Sequence, residues 1–132
     1  MIRLLLISAL CWASRAEASW EMGLQAAYGA DGAAGIGEVH YSPQGFWAVG
    51  AVARADAQHG LLPQLALRGS FELFKWVPRL TLRSGFSDSL TFGADFGIDY
   101  FVQRQISLRA RAGWGSLEGF EGAAGIAWFP FD

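Results

Sequence analysis

Between Leu90 and Trp114 the sequence alternates with a period of two. Leu90, Phe92, Ala94, Phe96, Ile98 and Tyr100 are apolar or aromatic, and Thr91, Gly93, Asp95, Gly97 and Asp99 between them are small or acidic. After a polar turn at Val102 to Arg104 the pattern resumes. Ile106, Leu108, Ala110, Ala112 and Trp114 fall on one face, with Gln105, Ser107, Arg109, Arg111 and Gly113 on the other. Successive side chains of a strand leave opposite faces, so this pattern requires extended chain rather than helix. Two such runs around a short turn form an antiparallel hairpin.

The same reading extends over residues 19 to 130. Trp20, Met22, Leu24, Ala26 and Tyr28 make a first apolar set. Asp31-Gly32 is a hairpin signal, because such turns need φ > 0. Folding about it pairs Leu24 with Val39 and Met22 with Tyr41. Ser42-Pro43-Gln44-Gly45 reads as a turn. A third strand runs from about Phe46 to Arg54, and Asp56 to Leu62 reads as a loop. Leu65 to Leu73 alternate as a fourth strand, a turn near Lys75 and Trp76 follows, and Arg79 to Phe86 form a fifth. Ser87-Asp88-Ser89 leads into the sixth strand, and Ser116 to Glu118 links the seventh to an eighth that Pro130 ends, since proline cannot donate to a ladder. Eight evenly spaced strands leave no room for a helix or a second domain. The fold class is therefore all-β, an eight-stranded antiparallel up-and-down barrel with very short loops.

Composition supports this. The 132 residues suit one domain, and 17 glycines with 14% aromatic residues argue against disorder and against a helical protein. A net charge of −2 gives no basic footprint for nucleic acid. Residues 1–18 read as a cleaved signal peptide. Arg3 supplies the positive end, Leu4 to Trp12 the apolar run, and Ala16-Glu17-Ala18 the cleavage site. The barrel then occupies residues 19–132. The apolar run is shorter than the roughly 20 residues that span a bilayer. Cys11, the one cysteine, lies in this leader after Leu10, where a lipoprotein signal has a small residue. The mature chain thus has no disulfide and no thiolate metal site.

Charge placement identifies the solvent on each face. Glu21, Glu38, Arg54, Arg68, Glu72, Arg79, Arg83, Asp95, Asp99, Arg109, Arg111 and Glu121 all share the polar parity of their strands. A soluble lipocalin-like barrel binding an apolar ligand would carry such charges outside, and its surface would be richer in lysine than this chain with Lys75 alone. The apolar face carries aromatic residues near both strand ends. One belt comprises Trp20, Tyr41, Trp47, Trp76, Tyr100 and Trp128, and the other Tyr28, Phe86, Phe92, Trp114 and Phe120. Aromatic rings collect in this way at both membrane interfaces. In lipid, only a closed barrel satisfies the backbone groups of strands.

With its leader, strand count, alternation and belts, the chain resembles the small eight-stranded outer-membrane barrels, the OmpA/OmpX-like class. The resemblance covers the mature chain and rests on no diagnostic motif. It implies a bacterial outer-membrane location, contact with outer-membrane lipid, and insertion by the barrel assembly machinery. Such chains often end on an aromatic residue, whereas this one ends Trp128-Phe129-Pro130-Phe131-Asp132, with Phe131 penultimate. The near absence of loops removes the usual grounds for a receptor or adhesin.

Hairpin folding brings the inward charges together. Folding about Ser89 sets Arg83 opposite Asp95 and Arg79 opposite Asp99. Folding about Arg104 sets Asp99 opposite Arg109, and folding the fourth strand onto the fifth sets Glu72 opposite Arg79. The expected lumen network is Glu72, Arg79, Arg83, Asp95, Asp99, Arg109 and Arg111, a structural plug in an interior just wide enough for side chains. His40, expected inside near Ser42, and His59, near Asp56, are the candidates for a lipid-modifying enzyme. Neither stands in a catalytic spacing, since a base must lie within hydrogen-bond reach of its proton. No catalytic residue, metal site or cofactor is expected.

Overall fold

The computed structural model describes residues 19–30, 32–44, 46–86 and 89–130. The leader lies outside these residues, as do Asp31, Gly45, Ser87, Asp88, Phe131 and Asp132. Eight strands follow one another: β1 (Ser19–Gly29), β2 (Gly32–Gln44), β3 (Trp47–Asp56), β4 (Gly60–Ser70), β5 (Trp76–Phe86), β6 (Leu90–Gln103), β7 (Ile106–Gly115) and β8 (Gly119–Trp128). Each pairs antiparallel with the next, and β8 returns to β1 from Met22↔Trp128 to Gly29↔Glu121, closing the barrel without an edge.

Alternation along each strand sorts the side chains between lumen and exterior. In β6, Thr91, Gly93, Asp95, Gly97 and Asp99 are buried, and Phe92, Ala94 and Phe96 are exposed. The exterior is predominantly apolar: Leu24, Leu65, Leu67, Leu80, Leu82, Phe96 and Leu108 are each more than half exposed. The lumen holds most of the charge, together with a small apolar cluster of Ala27, Ile36, Val52 and Ala66. This distribution is the inverse of a water-soluble barrel.

Three hairpin registers differ from expectation, each by two residues. In β1–β2, Met22 faces Val39 and Leu24 faces Gly37, because the ladder runs up to a Gly29–Gly32 rung. Gly32, at φ 86°, takes part in the last rung opposite Gly29, and its left-handed backbone favours glycine. In β5–β6, Phe86 faces Leu90, so Arg83 lies opposite Gly93 and Arg79 opposite Gly97. In β4–β5, Ser70 rather than Glu72 faces Arg79, and the turn falls on Phe74 and Lys75, closed by a Leu73↔Trp76 bridge. A turn centre displaced by one residue shifts the register by two, and side chains have period two, so every facing survives. The β6–β7 register has Asp99 opposite Arg109, as the fold about Arg104 requires.

Two turns are tighter than the sequence suggests. Ser42 and Pro43 belong to β2, where a bulge between Tyr41 and Gln44 accommodates the proline that cannot donate. The loop expected from Asp56 to Leu62 contracts to residues 57–59, and Leu62 is a buried lumen residue of β4.

Candidate functional site: the charged lumen

Arg109 of β7 is the centre of the lower lumen, the half nearest the chain termini. It is 2% exposed. Its Nε and Nη2 each donate to Asp99 at 2.9 Å, a bidentate pair, and Nη2 also reaches Glu21 Oε2 at 3.2 Å. Its Nη1 donates to Glu38 Oε1, which also accepts from Gln25 at 3.2 Å. Arg79 Nε lies 3.1 Å from Asp99, and its Nη1 lies 3.9 Å from Glu38. Arg68 pairs with Glu21, and His40 Nδ1 lies 3.3 Å from the same carboxylate. Glu21, Glu38 and Asp99 thus face Arg68, Arg79 and Arg109, three charges of each sign. Bidentate, charge-assisted pairs of this kind are what a buried arginine requires.

A second cluster occupies the other half. Arg83 lies 2.6 Å from Asp95 and donates to Gln64 at 2.9 Å and to Glu118 at 3.0 Å. Arg111 bridges Asp95 at 2.5 Å and Glu121 at 3.0 Å. Arg54 donates to Glu121 Oε2 at 2.8 Å and pairs with Asp56, which His59 Nδ1 approaches to 3.2 Å at the rim. On the β1–β4 side the apolar cluster around Ile36 and Val52 separates the two groups. Inward glycines make room for the guanidinium groups. A Cβ on Gly23 would meet Arg109 Nη1 at 2.9 Å, and one on Gly93 would meet Arg83 Nη2 at 2.7 Å.

Little open space is left in these regions. A cavity of about 30 Å³ lies among Glu21, His40, Arg68, Arg79 and Asp99, and another of about 10 Å³ beside Thr81 and Gly97. Each is on the scale of one or two waters at most. At the mouth near the termini, Phe101 and Phe129 pack with ring centroids 5.1 Å apart, and the Phe129 amide donates to the Gln105 carbonyl at 2.8 Å.

Glu21, Glu38 and His40 bring three potential metal ligands within 4.8 Å of one another. Both carboxylates are already committed to arginines, and a dication would add charge to a balanced cluster. The arrangement is that of a salt-bridge core rather than a metal centre.

Of the seven expected network residues, six meet in the lumen. Arg83–Asp95 and Arg79–Asp99 form although neither pair is directly opposite, because long side chains reach diagonal neighbours across a ladder. Glu72 lies beyond the end of β4 and is not set against Arg79. Glu21, Glu38, Arg54, Arg68 and Glu121 face inward as their parity requires, and they join the network, which neighbouring hairpins alone do not predict. Their partners lie across the lumen, up to 88 positions away in sequence. Glu118 lies in the β7–β8 turn, as its sequence predicts, yet it is buried, because its carboxylate reaches Arg83. On the exterior, Trp20 stacks with Tyr41 at 4.9 Å and Trp76 with Tyr100 at 4.7 Å at the end near the termini, where Trp47 and Trp128 also lie. Phe92 and Trp114, 5.8 Å apart, share the far end with Tyr28, Phe86 and Phe120.

No protein-family model matches the chain, and no curated protein matches it in sequence. Its fold is similar to solved barrels. A de novo designed transmembrane β-barrel superposes with a TM-score of 0.75 at 14% identity, over 84% of this chain and 94% of that one. The N-terminal β-barrel domain of Pseudomonas aeruginosa OprF gives 0.64 at 15% identity, over 84% and 96%. Neisserial surface protein A gives 0.52 at 13% identity, over 84% and 94%. The chain is a closed, eight-stranded, antiparallel up-and-down barrel with the fold of these transmembrane barrels.

Proposed function

We propose that this protein is a small integral barrel of the bacterial outer membrane, exported through a cleaved leader and inserted by the barrel assembly machinery. Its role is structural, and its lumen is closed by paired charges that leave at most a narrow water or ion path. The observation that carries the reading is the inverted distribution of polarity. Arginines, aspartates and glutamates fill the interior, while leucine, phenylalanine and alanine cover the outside between two aromatic belts. In water such a surface would aggregate, whereas in lipid it is the stable arrangement. Strands of 10 to 14 residues are long enough to cross a bilayer at barrel tilt.

The experiment is expression with the native leader in a Gram-negative host. The mature chain should begin at Ser19, fractionate with outer membranes, and migrate faster on gels unheated than boiled. Purified barrel in planar bilayers should show little steady conductance. A soluble periplasmic product without heat-modifiable mobility would overturn the membrane reading. Large stable channels would overturn the closed lumen.

A further inference from the structure

Two cations among the described residues escape the lumen, and they stand on neighbouring turns. Arg54, Arg68, Arg79, Arg83, Arg109 and Arg111 all turn inward. Among the described residues this leaves Lys75, the chain's one lysine, and Arg104, both exposed. They occupy the β4–β5 and β6–β7 turns at the rim near the termini. These turns are joined, because the Phe101 amide donates to the Lys75 carbonyl at 2.9 Å. Beside them stands the Trp76–Tyr100 pair, a marker of interface depth. The opposite rim is different in kind. Its described ionisable residues are Asp56, His59 and Glu118, and no lysine or arginine is exposed there among the described residues.

Phe74 supplies the second observation. It is 98% exposed and holds φ at 58°, the one described non-glycine residue with positive φ. For a bulky side chain that backbone is unfavourable. The strained turn presents an aromatic ring beyond Trp76, flanked by Leu73 and followed by Lys75. Glu72, the acidic residue of the same segment, has lumen-facing parity and is half-buried.

We propose that this rim is a binding site for an anionic phospholipid headgroup, with Lys75 and Arg104 holding the phosphate and Phe74 wedged at the boundary between headgroups and acyl chains. The proposal rests on the membrane reading. Exposed cations near an anionic leaflet each add about 1 kcal/mol of attraction, about five-fold in affinity. A neutral headgroup gains nothing comparable.

The test folds the full mature chain into vesicles of phosphatidylcholine alone and of equimolar phosphatidylcholine and phosphatidylglycerol. Gel mobility scores folding, and native mass spectrometry scores retained lipid. Wild type should retain phosphatidylglycerol over phosphatidylcholine. Lys75→Gln with Arg104→Gln should reduce that preference about 25-fold, and Lys75→Arg should keep it. Phe74→Gly, which relieves the backbone, should fold normally yet retain less phosphatidylglycerol. Equal retention of the two lipids by folded wild type, or an unchanged preference in the double variant, would overturn the site. Unchanged retention in Phe74→Gly would overturn the wedge. Displacement of the lipid by excess inorganic phosphate would overturn the assignment to a headgroup. Failure to fold in either vesicle would instead overturn the membrane reading itself.

Discussion

Asp99 and Arg79 form the pair on which the lower cluster can be tested most directly. Asp99, 2% exposed, accepts two bonds from Arg109 and one ion pair from Arg79. Removing its charge leaves Arg109 with Glu21 and Glu38, but leaves Arg79 with Glu38 at 3.9 Å. Arg79 is then the stranded cation. Breaking a buried pair by removing one partner costs ~3–5 kcal/mol. Asp99→Asn keeps a carbonyl acceptor, so the low end, about 3 kcal/mol, is expected. Arg79→Gln should cost about 1–3 kcal/mol, since Asp99 keeps its bidentate partner. The double variant restores two charges of each sign and should cost no more than the worse single change. That sets a coupling energy of about 1–3 kcal/mol. The measurement is equilibrium urea unfolding of the barrel in vesicles, followed by tryptophan fluorescence with gel mobility as a second probe. Additivity within about 0.5 kcal/mol would show that the two residues do not share a network, and would refute the reasoning.

Three further outcomes follow from the same geometry. Phe96→Arg places a charge on the lipid face near the middle of β6, opposite Leu80 and Ala112, and should cost ~2–4 kcal/mol; folding into bilayers as stably as wild type would contradict the assigned facing. Gly97→Ala meets Ala110 O at 3.0 Å and Arg79 Nη2 at 3.2 Å and should cost under about 1 kcal/mol, whereas Gly125→Ala drives a Cβ into the Leu24 carbonyl and should cost about 1–3 kcal/mol in the same unfolding assay. Asp99→Ala should raise conductance above wild type in planar bilayers, because it loosens the tightest cluster of the lumen; equal traces would place the barrier elsewhere.

Facing was legible in the sequence because it depends on parity alone. Arg83 and Asp95 were assigned inward from period two, and a two-residue error in the β5–β6 register did not change that. Registers were less legible. The β6–β7 turn is short and polar, so its centre at Arg104 was readable, and Asp99 found Arg109. Phe74 conceals the β4–β5 turn, since nothing about phenylalanine signals positive φ. The cross-lumen pairs were not legible at all. Arg54 meets Glu121 and Arg68 meets Glu21 only through barrel closure, which a reading of neighbouring hairpins does not supply.

Those cross-lumen pairs also bear on how the protein enters its membrane. Arg109–Glu21, Arg68–Glu21 and Arg54–Glu121 join residues 47 to 88 positions apart, and each involves β1 or β8, the two strands of the closing seam. A half-inserted sheet with that seam open would carry Arg54, Arg68 and Arg109 into hydrocarbon before these cross-barrel partners arrived. Strand-by-strand entry is therefore the costly route. Assembly is favoured when the seam zips while the polar face is still sheltered from acyl chains, so the last step of folding and the first step of burial in lipid are one event.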